Sequence, residues 1–232
     1  MPPKRLTAAV LAACAVSLAL AASSGAELIG LYRNPMESKS QRRAQVKLSG
    51  SRCERGGSQH VFRVLIGKKT TECSYRTPVI GRDLQVAATM RLLSGTPKPL
   101  KPKAFLALNL RAGGGARYQL AVFPVQRKTQ LRKFLPGGDV KFLQIEKNVR
   151  GVQGVDKANT MRLRAFNITS GHNKGRCRIL AFVGGKQVGD FTDRAAGELK
   201  GRASGFAVGA TKNAKGVIGS VDDIVIRSPN PF

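Results

Sequence analysis

The chain has no tryptophan, three tyrosines (Tyr32, Tyr75 and Tyr118), two histidines and only 13 acidic residues among 232. Each shortage removes a class of function. Few aromatic platforms weaken neutral-sugar binding, and they weaken base stacking on nucleic acid in the same way. His60 and His172 are the only histidines, and neither stands beside a Gly-x-Ser-x-Gly nucleophile motif. No Cys-x-x-Cys or Cys/His spacing suggests a zinc site. After residue 26 no apolar run is long enough to span a bilayer. Nor does any later run of 12 or more residues show helical period with caps.

What is abundant is positive charge. Forty Lys and Arg give a net +27 at pH 7. The N-terminus reads as a secretory leader: Lys4 and Arg5, then an apolar Ala-, Val- and Leu-rich stretch over 6–22, then Ser24-Gly25-Ala26. A membrane anchor is the other reading, but about 17 Ala-rich residues are near the minimum for a span. Cys14 is followed by more apolar sequence, which argues against a lipoprotein signal. Cleavage near Ala26 removes Lys4, Arg5 and no acid, so +27 becomes +25 on a mature chain of 206 residues. That length suits one domain over 27–232, soluble, secreted or associated with the cell envelope.

Period-2 alternation dominates the rest. In residues 105–127, Leu106, Leu108 and Leu110 alternate with Ala107 and Asn109, Gly113-Gly114-Gly115 supplies a turn, and Tyr118, Leu120 and Val122 resume the pattern. Those three should fill a core, while Arg117, Gln119 and Ala121 lie on the other face, where any binding site is expected. Further strands are expected within 27–40 and over 45–48, 61–66, 73–77 (stopped by Pro78), 84–93, 130–135, 141–147, 161–166, 178–183, 186–191, 205–209 and 221–227. Residues 96–103 read as a proline-basic loop. The two ends of the mature chain could pair in one sheet. Turn signals every 8–12 residues give an all-β fold: a two-sheet antiparallel jelly-roll sandwich. Export permits disulfides. Cys53 and Cys73, 20 residues apart, are the expected pair, worth roughly 3 kcal/mol in the chain-entropy model. Cys177 is then a small core residue at a strand start, or else the partner of one of them.

Residues 159–227 carry the order NTMRLRAFNI, CRILAFVGGKQVGDFTD, LKGRASGFAVGA, GSVDDIVIRS. This resembles the closing half of concanavalin A-like lectin/glucanase sandwiches, an outline shared by laminin-G-like modules and by 3-keto-disaccharide hydrolase-like domains. The resemblance is specific for fold and weak for function. In such sandwiches an acid in a V-D-x-V strand helps hold a structural calcium with ligands near the N-terminal strand. Asp222 or Asp223 matches that acid and Glu37 is the N-terminal candidate; otherwise the aspartates face solvent or cap a turn. Family 16 glucanases cleave with a Glu-x-Asp-x-x-Glu strand, and no such motif occurs here. Asp190-Phe191-Thr192-Asp193 is the nearest pattern and suits a turn or cap. Gly113–Gly115 lacks the Gly-Lys-Ser/Thr ending of a phosphate loop. Whether the chain is an enzyme stays open, with non-catalytic binding favoured.

Charge is the strongest functional signal. Arg127, Lys128, Arg132, Lys133, Lys141, Lys147 and Arg150 cluster along one strand pair, and Arg162 and Arg164 share one face of their strand. With Arg117 they would form a basic stripe if these strands are neighbours, attracting polyanions in a salt-dependent way. Outside a cell those are acidic polysaccharides or cell-envelope polymers, with nucleic acid less favoured. The bland alternative is a charge that only sets solubility. The functional expectation is a secreted, non-catalytic sandwich that binds anionic glycan. A glycoside-active hydrolase of the 3-keto-disaccharide hydrolase-like group and an adhesive module with no small ligand are the alternatives. Asn167-Ile168-Thr169 is a formal glycosylation sequon, idle if the Ala-rich leader is bacterial.

Overall fold

The computed structural model describes residues 29–38, 47–49, 53–55, 61–65, 71–193 and 199–228. The expected leader and its cleavage site lie outside the described residues, as do Gln45, Val46, His60 and Ile66. The described residues form fifteen strands: β1 (Ile29–Asn34), β2 (Lys47–Ser49), β3 (Cys53–Arg55), β4 (Val61–Val64), β5 (Glu72–Ile80), β6 (Leu84–Leu92), β7 (Ala104–Gly113) and β8 (Ala116–Phe123). They are followed by β9 (Lys128–Phe134), β10 (Val140–Glu146), β11 (Asn159–Asn167), β12 (Cys177–Val183), β13 (Lys186–Asp193), β14 (Ala203–Ala210) and β15 (Ile218–Ser228).

They form two antiparallel sheets. The eight-stranded sheet runs β13-β12-β11-β6-β15-β4-β3, with β1 also paired to β15; the seven-stranded sheet runs β10-β9-β8-β7-β14-β5-β2. The expected pairing of the chain ends is present, Ile29 opposite Ser228. Alternation decides which side chains meet between the sheets. From β6, Leu84, Val86, Ala88, Met90 and Leu92 point inward; from β7 and β8, Leu106, Leu108, Leu110, Tyr118, Leu120 and Val122 do. Phe62, Tyr75 and Phe206 close one end, with ring centroids 4.3–5.1 Å apart. Such ring pairs add about 0.5–1.5 kcal/mol each beyond area burial.

The β7–β8 hairpin forms as expected. Gly114 and Gly115 have φ of 56° and 83°, and this left-handed backbone is why glycine occupies a two-residue turn. Cys53 and Cys73 are bonded, with Cα atoms 5.8 Å apart. The bridge joins β3, the edge of one sheet, to β5 in the other. Cys177 stands outside this disulfide, buried at the start of β12.

Three local expectations change. β5 continues through Pro78 to Ile80. The pairing of β5 with β14 skips from Gly205↔Arg76 to Ala203↔Ile80, so Pro78 lies where the ladder is irregular and its missing N–H costs no bond. Residues 190–193 belong to β13, not to a turn or cap, because β12 pairs with them as far as Cys177↔Asp193. The proline-basic loop contains a short 3-10 turn at Lys101–Lys103.

Candidate functional site

The outer face of the seven-stranded sheet is built on a register. Arg76, Gly205, Asn109, Gln119, Arg132 and Phe142 lie directly opposite one another across β5, β14, β7, β8, β9 and β10. One position in this row is bare. At Gly205 a Cβ would fall 1.9 Å from the Tyr75 carbonyl oxygen, so only glycine fits. The gap opens a cleft of about 200 Å³ walled by Ser74, Arg76, Asn109, Arg117 and Ser204.

Next to the cleft the row is tied together by hydrogen bonds. Arg117 Nη2 and Ser74 Oγ each donate to Glu72 Oε1 at 2.6 Å. Gln119 Nε2 donates to Glu72 Oε2 at 2.9 Å and to Asn109 Oδ1 at 3.1 Å. Arg132 donates from Nη1 to Gln119 Oε1 at 3.3 Å and from Nε to Gln130 Oε1 at 2.9 Å. A side-chain chain of this kind fixes each rotamer through its neighbours. Arg117 Nε is buried and has no hydrogen-bond partner among the described residues.

The other half of the face is apolar. Phe105, Ala107, Ala121, Phe123 and Ala207 form a small buried cluster separate from the main core. Cations cover it: Arg132 lies 5.0 Å from the Phe105 centroid and 5.3 Å from that of Phe123, and Lys128 Nζ lies 4.3 Å over Phe123. Burial pushes Arg132 down to about 10, with Arg117 adding to the effect and Glu72 opposing it. It remains a cation at neutral pH. Lys128 is also lowered, first by burial and then by Arg132 and Lys147.

The eight expected polyanion-binding residues do not make one stripe. Arg117, Lys128 and Arg132 share the outer face just described, and Arg127 occupies the β8–β9 turn with φ of 48°. Lys133 follows Arg132 and so faces the opposite side. Its Nζ donates to Asp193 Oδ2 at 2.5 Å, and Tyr118 Oη donates to the same oxygen at 2.6 Å. Burial, that hydrogen bond and the nearby Cys177 push the Tyr118 hydroxyl far above its usual range. Lys133 is thus committed to an interior triad, and Lys141 joins it only at the opening of a cavity of about 570 Å³ beside β13. Arg162 and Arg164 lie on the other sheet, because β11 pairs with β12 and β6.

Sequence reasoning missed Glu72, Arg76, Asn109 and Gly205 as a group. These four come from three strands far apart in sequence, β5, β7 and β14, so no local motif joins them. The sequon asparagine is occupied: Asn167 Oδ1 accepts from the buried Arg111 at 2.8 Å, and its N–H donates to Asp83.

For the calcium expectation the donor set is thin. Asp222 and Asp223 sit where the β15–β6 register shifts, and Asp223 has φ of 47°. Asp222 faces Arg91 at 3.9 Å. Among the described residues no group of three or more His, Cys, Asp or Glu side chains could hold a metal ion. Calcium takes six to eight oxygens, and Asp222, Asp223 and the expected Glu37, which follows β1, do not make such a group. Nor does the cleft hold the carboxylate pair that glycoside hydrolysis uses, since no acid is among its described lining residues.

No protein-family model matches the chain, and no curated protein sequence matches it. Solved structures do. A protein of unknown function with a galectin-like fold from Bacillus subtilis superposes with a TM-score of 0.60 at 14% identity, over 87% of this chain and 98% of that one. Carbohydrate-binding module CBM66 from Bacillus subtilis gives 0.50 at 14% identity, over 72% and 86%. The receptor-binding domain of botulinum neurotoxin D gives 0.51 at 10% identity, over 86% of this chain and 49% of that one. At these identities the likeness is one of architecture: the chain is similar to lectin-like β-sandwiches, and its fold is the concanavalin A-like one.

Proposed function

We propose that this protein is a non-catalytic glycan-binding β-sandwich that takes an acidic sugar on the outer face of its seven-stranded sheet. The observation that carries this reading is the cleft over Gly205, where Arg76 and Arg117 flank Asn109 and Ser74. Cationic and amide groups around a gap of about 200 Å³ suit one sugar ring with a carboxylate or sulfate. Arg127, Lys128 and Arg132 extend the positive field toward β10 and draw a polymer chain across the row. The carbohydrate-binding neighbour CBM66 supports the same reading. The Cys53–Cys73 bond fits an oxidising compartment, in keeping with a leader cleaved near Ala26 and release to the exterior or the cell envelope.

The test is retention on immobilised heparin with a neutral dextran column as comparison. Heparin should retain the wild-type protein at low salt and release it well before about 0.5 M, where the Debye length is only a few ångströms. R117Q/R132Q should elute earlier. Equal retention on dextran, or retention on heparin unaffected by salt, overturns the reading.

A further inference from the structure

The outer face of the eight-stranded sheet carries a different set of cations. Arg162 and Arg164 are two apart on β11, about 7 Å along the strand. The Arg162 guanidinium lies 4.0 Å from the Phe182 ring centroid, and that of Arg164 lies 4.5 Å from Phe166. Phe182 is the residue directly opposite Arg162 on β12. Stacking on a ring holds the guanidinium plane in place without a counter-charge. Neither arginine has a hydrogen bond or ion pair among the described residues, and the Nε atom of each is buried without a partner. Arg178 on β12 adjoins them and has Asp190 as its acid. Burial lowers Arg164, Arg162 and Arg178 add to the effect, and the more distant Asp83, bonded to Arg111, opposes it.

We propose that this face is a second, independent docking surface for a linear acidic polysaccharide, so that one molecule bridges two polymer chains. Guanidinium pairs at fixed spacing, with no carboxylate bonded to either among the described residues, complement a chain with repeated carboxylates or sulfates. The rings point to polysaccharide rather than nucleic acid. Phe166 and Phe182 already carry the arginines on their faces, so neither ring is a free platform for a base. Because the two faces are opposite sides of one sandwich, a single polymer segment does not satisfy both, and excess protein crosslinks chains. The bridging half of the proposal rests on the cleft reading above; the second face does not.

The experiment uses the full protein with heparin, reading affinity against salt and turbidity against mixing ratio. Wild type should give turbidity that rises and then falls as heparin is added. R162Q/R164Q should abolish the turbidity while still binding, and the slope of log K against log salt should fall by about two, one per lost contact. K98Q/K101Q removes the same charge from the loop before β7 and should change neither reading. R117Q/R132Q should also lose turbidity while keeping salt-sensitive binding. Unchanged turbidity and slope in R162Q/R164Q overturn the second face, as does complete loss of binding in R117Q/R132Q. Crosslinking of single-stranded DNA but not of heparin overturns the choice of polymer. If R162Q/R164Q alone abolishes binding while R117Q/R132Q binds normally, the second face stands and the cleft reading falls. Circular dichroism melts of each variant separate these outcomes from failure to fold.

Discussion

On the seven-stranded sheet Arg117 donates to Glu72 at 2.6 Å; on the eight-stranded sheet Arg178 donates to Asp190 at 2.6 Å. The side chains of the first pair are 18% and 12% exposed, those of the second 44% and 36%. Equal distance does not mean equal worth. The first pair has given up most of its water, and Glu72 takes its remaining bonds from Ser74 and Gln119. The exposed pair trades one well-hydrated state for another, and such pairs are worth about 0–1 kcal/mol. The first face is consequently a fixed polar scaffold. On the second, rings hold the arginines, and their charge stays available.

Removing one partner breaks this comparison most sharply. Glu72→Ala strands Arg117, Gln119 and Ser74 and should cost roughly 2–3 kcal/mol, below the 3–5 seen for fully buried pairs because a little water reaches both groups. Asp190→Ala should stay within about 0.5 kcal/mol. Urea denaturation reads both as shifts in midpoint at constant slope. Similar losses in the two variants would mean that burial is not what separates the faces.

Packing gives the next largest contrast. Gly205→Ala pushes a methyl against the Tyr75 carbonyl at the wall of the cleft, which should cost about 1–3 kcal/mol as overpacking does and, by shifting that wall, weaken heparin retention. Thr160 on the outer face of β11 is exposed, and Thr160→Ala should move the denaturation midpoint little. A Gly205→Ala variant as stable as wild type would show that the row has slack.

How much of this was legible follows from the range of each interaction. The hairpin of β7 and β8 was readable because leucine alternation and a glycine turn are local. So were the Cys53–Cys73 bond, the buried Cys177 at a strand start, and the side of β8 that carries Arg117 and Gln119. The row from Arg76 to Phe142 was not, since it depends on which strands become neighbours. Lys133 shows the cost: counted among free cations, it turns inward to Asp193 because it is one residue past Arg132. Arg162 and Arg164 were rightly placed on one strand face, and it was their sheet that could not be read. The alternation pattern says which side a residue takes and leaves open whose side it joins.

The smallest effect tests the exposed pair by pH. The hydrogen bond from Arg178 holds the Asp190 carboxyl below its usual value of 3.8, helped by charge attraction and opposed by partial burial. A carboxyl depressed in the folded state stabilises that state above its unfolded value and loses the contribution as pH falls through its folded one. The window therefore lies below about pH 3.8. Exposure limits the contribution to a few tenths of a kcal/mol. Thermal melts of wild type and D190N should differ slightly at pH 6 and converge as pH drops below that window. A gap that stays constant or widens toward pH 2 would show that Asp190 contributes through its shape or packing, and the contrast with the buried Glu72 would then be one of geometry after all.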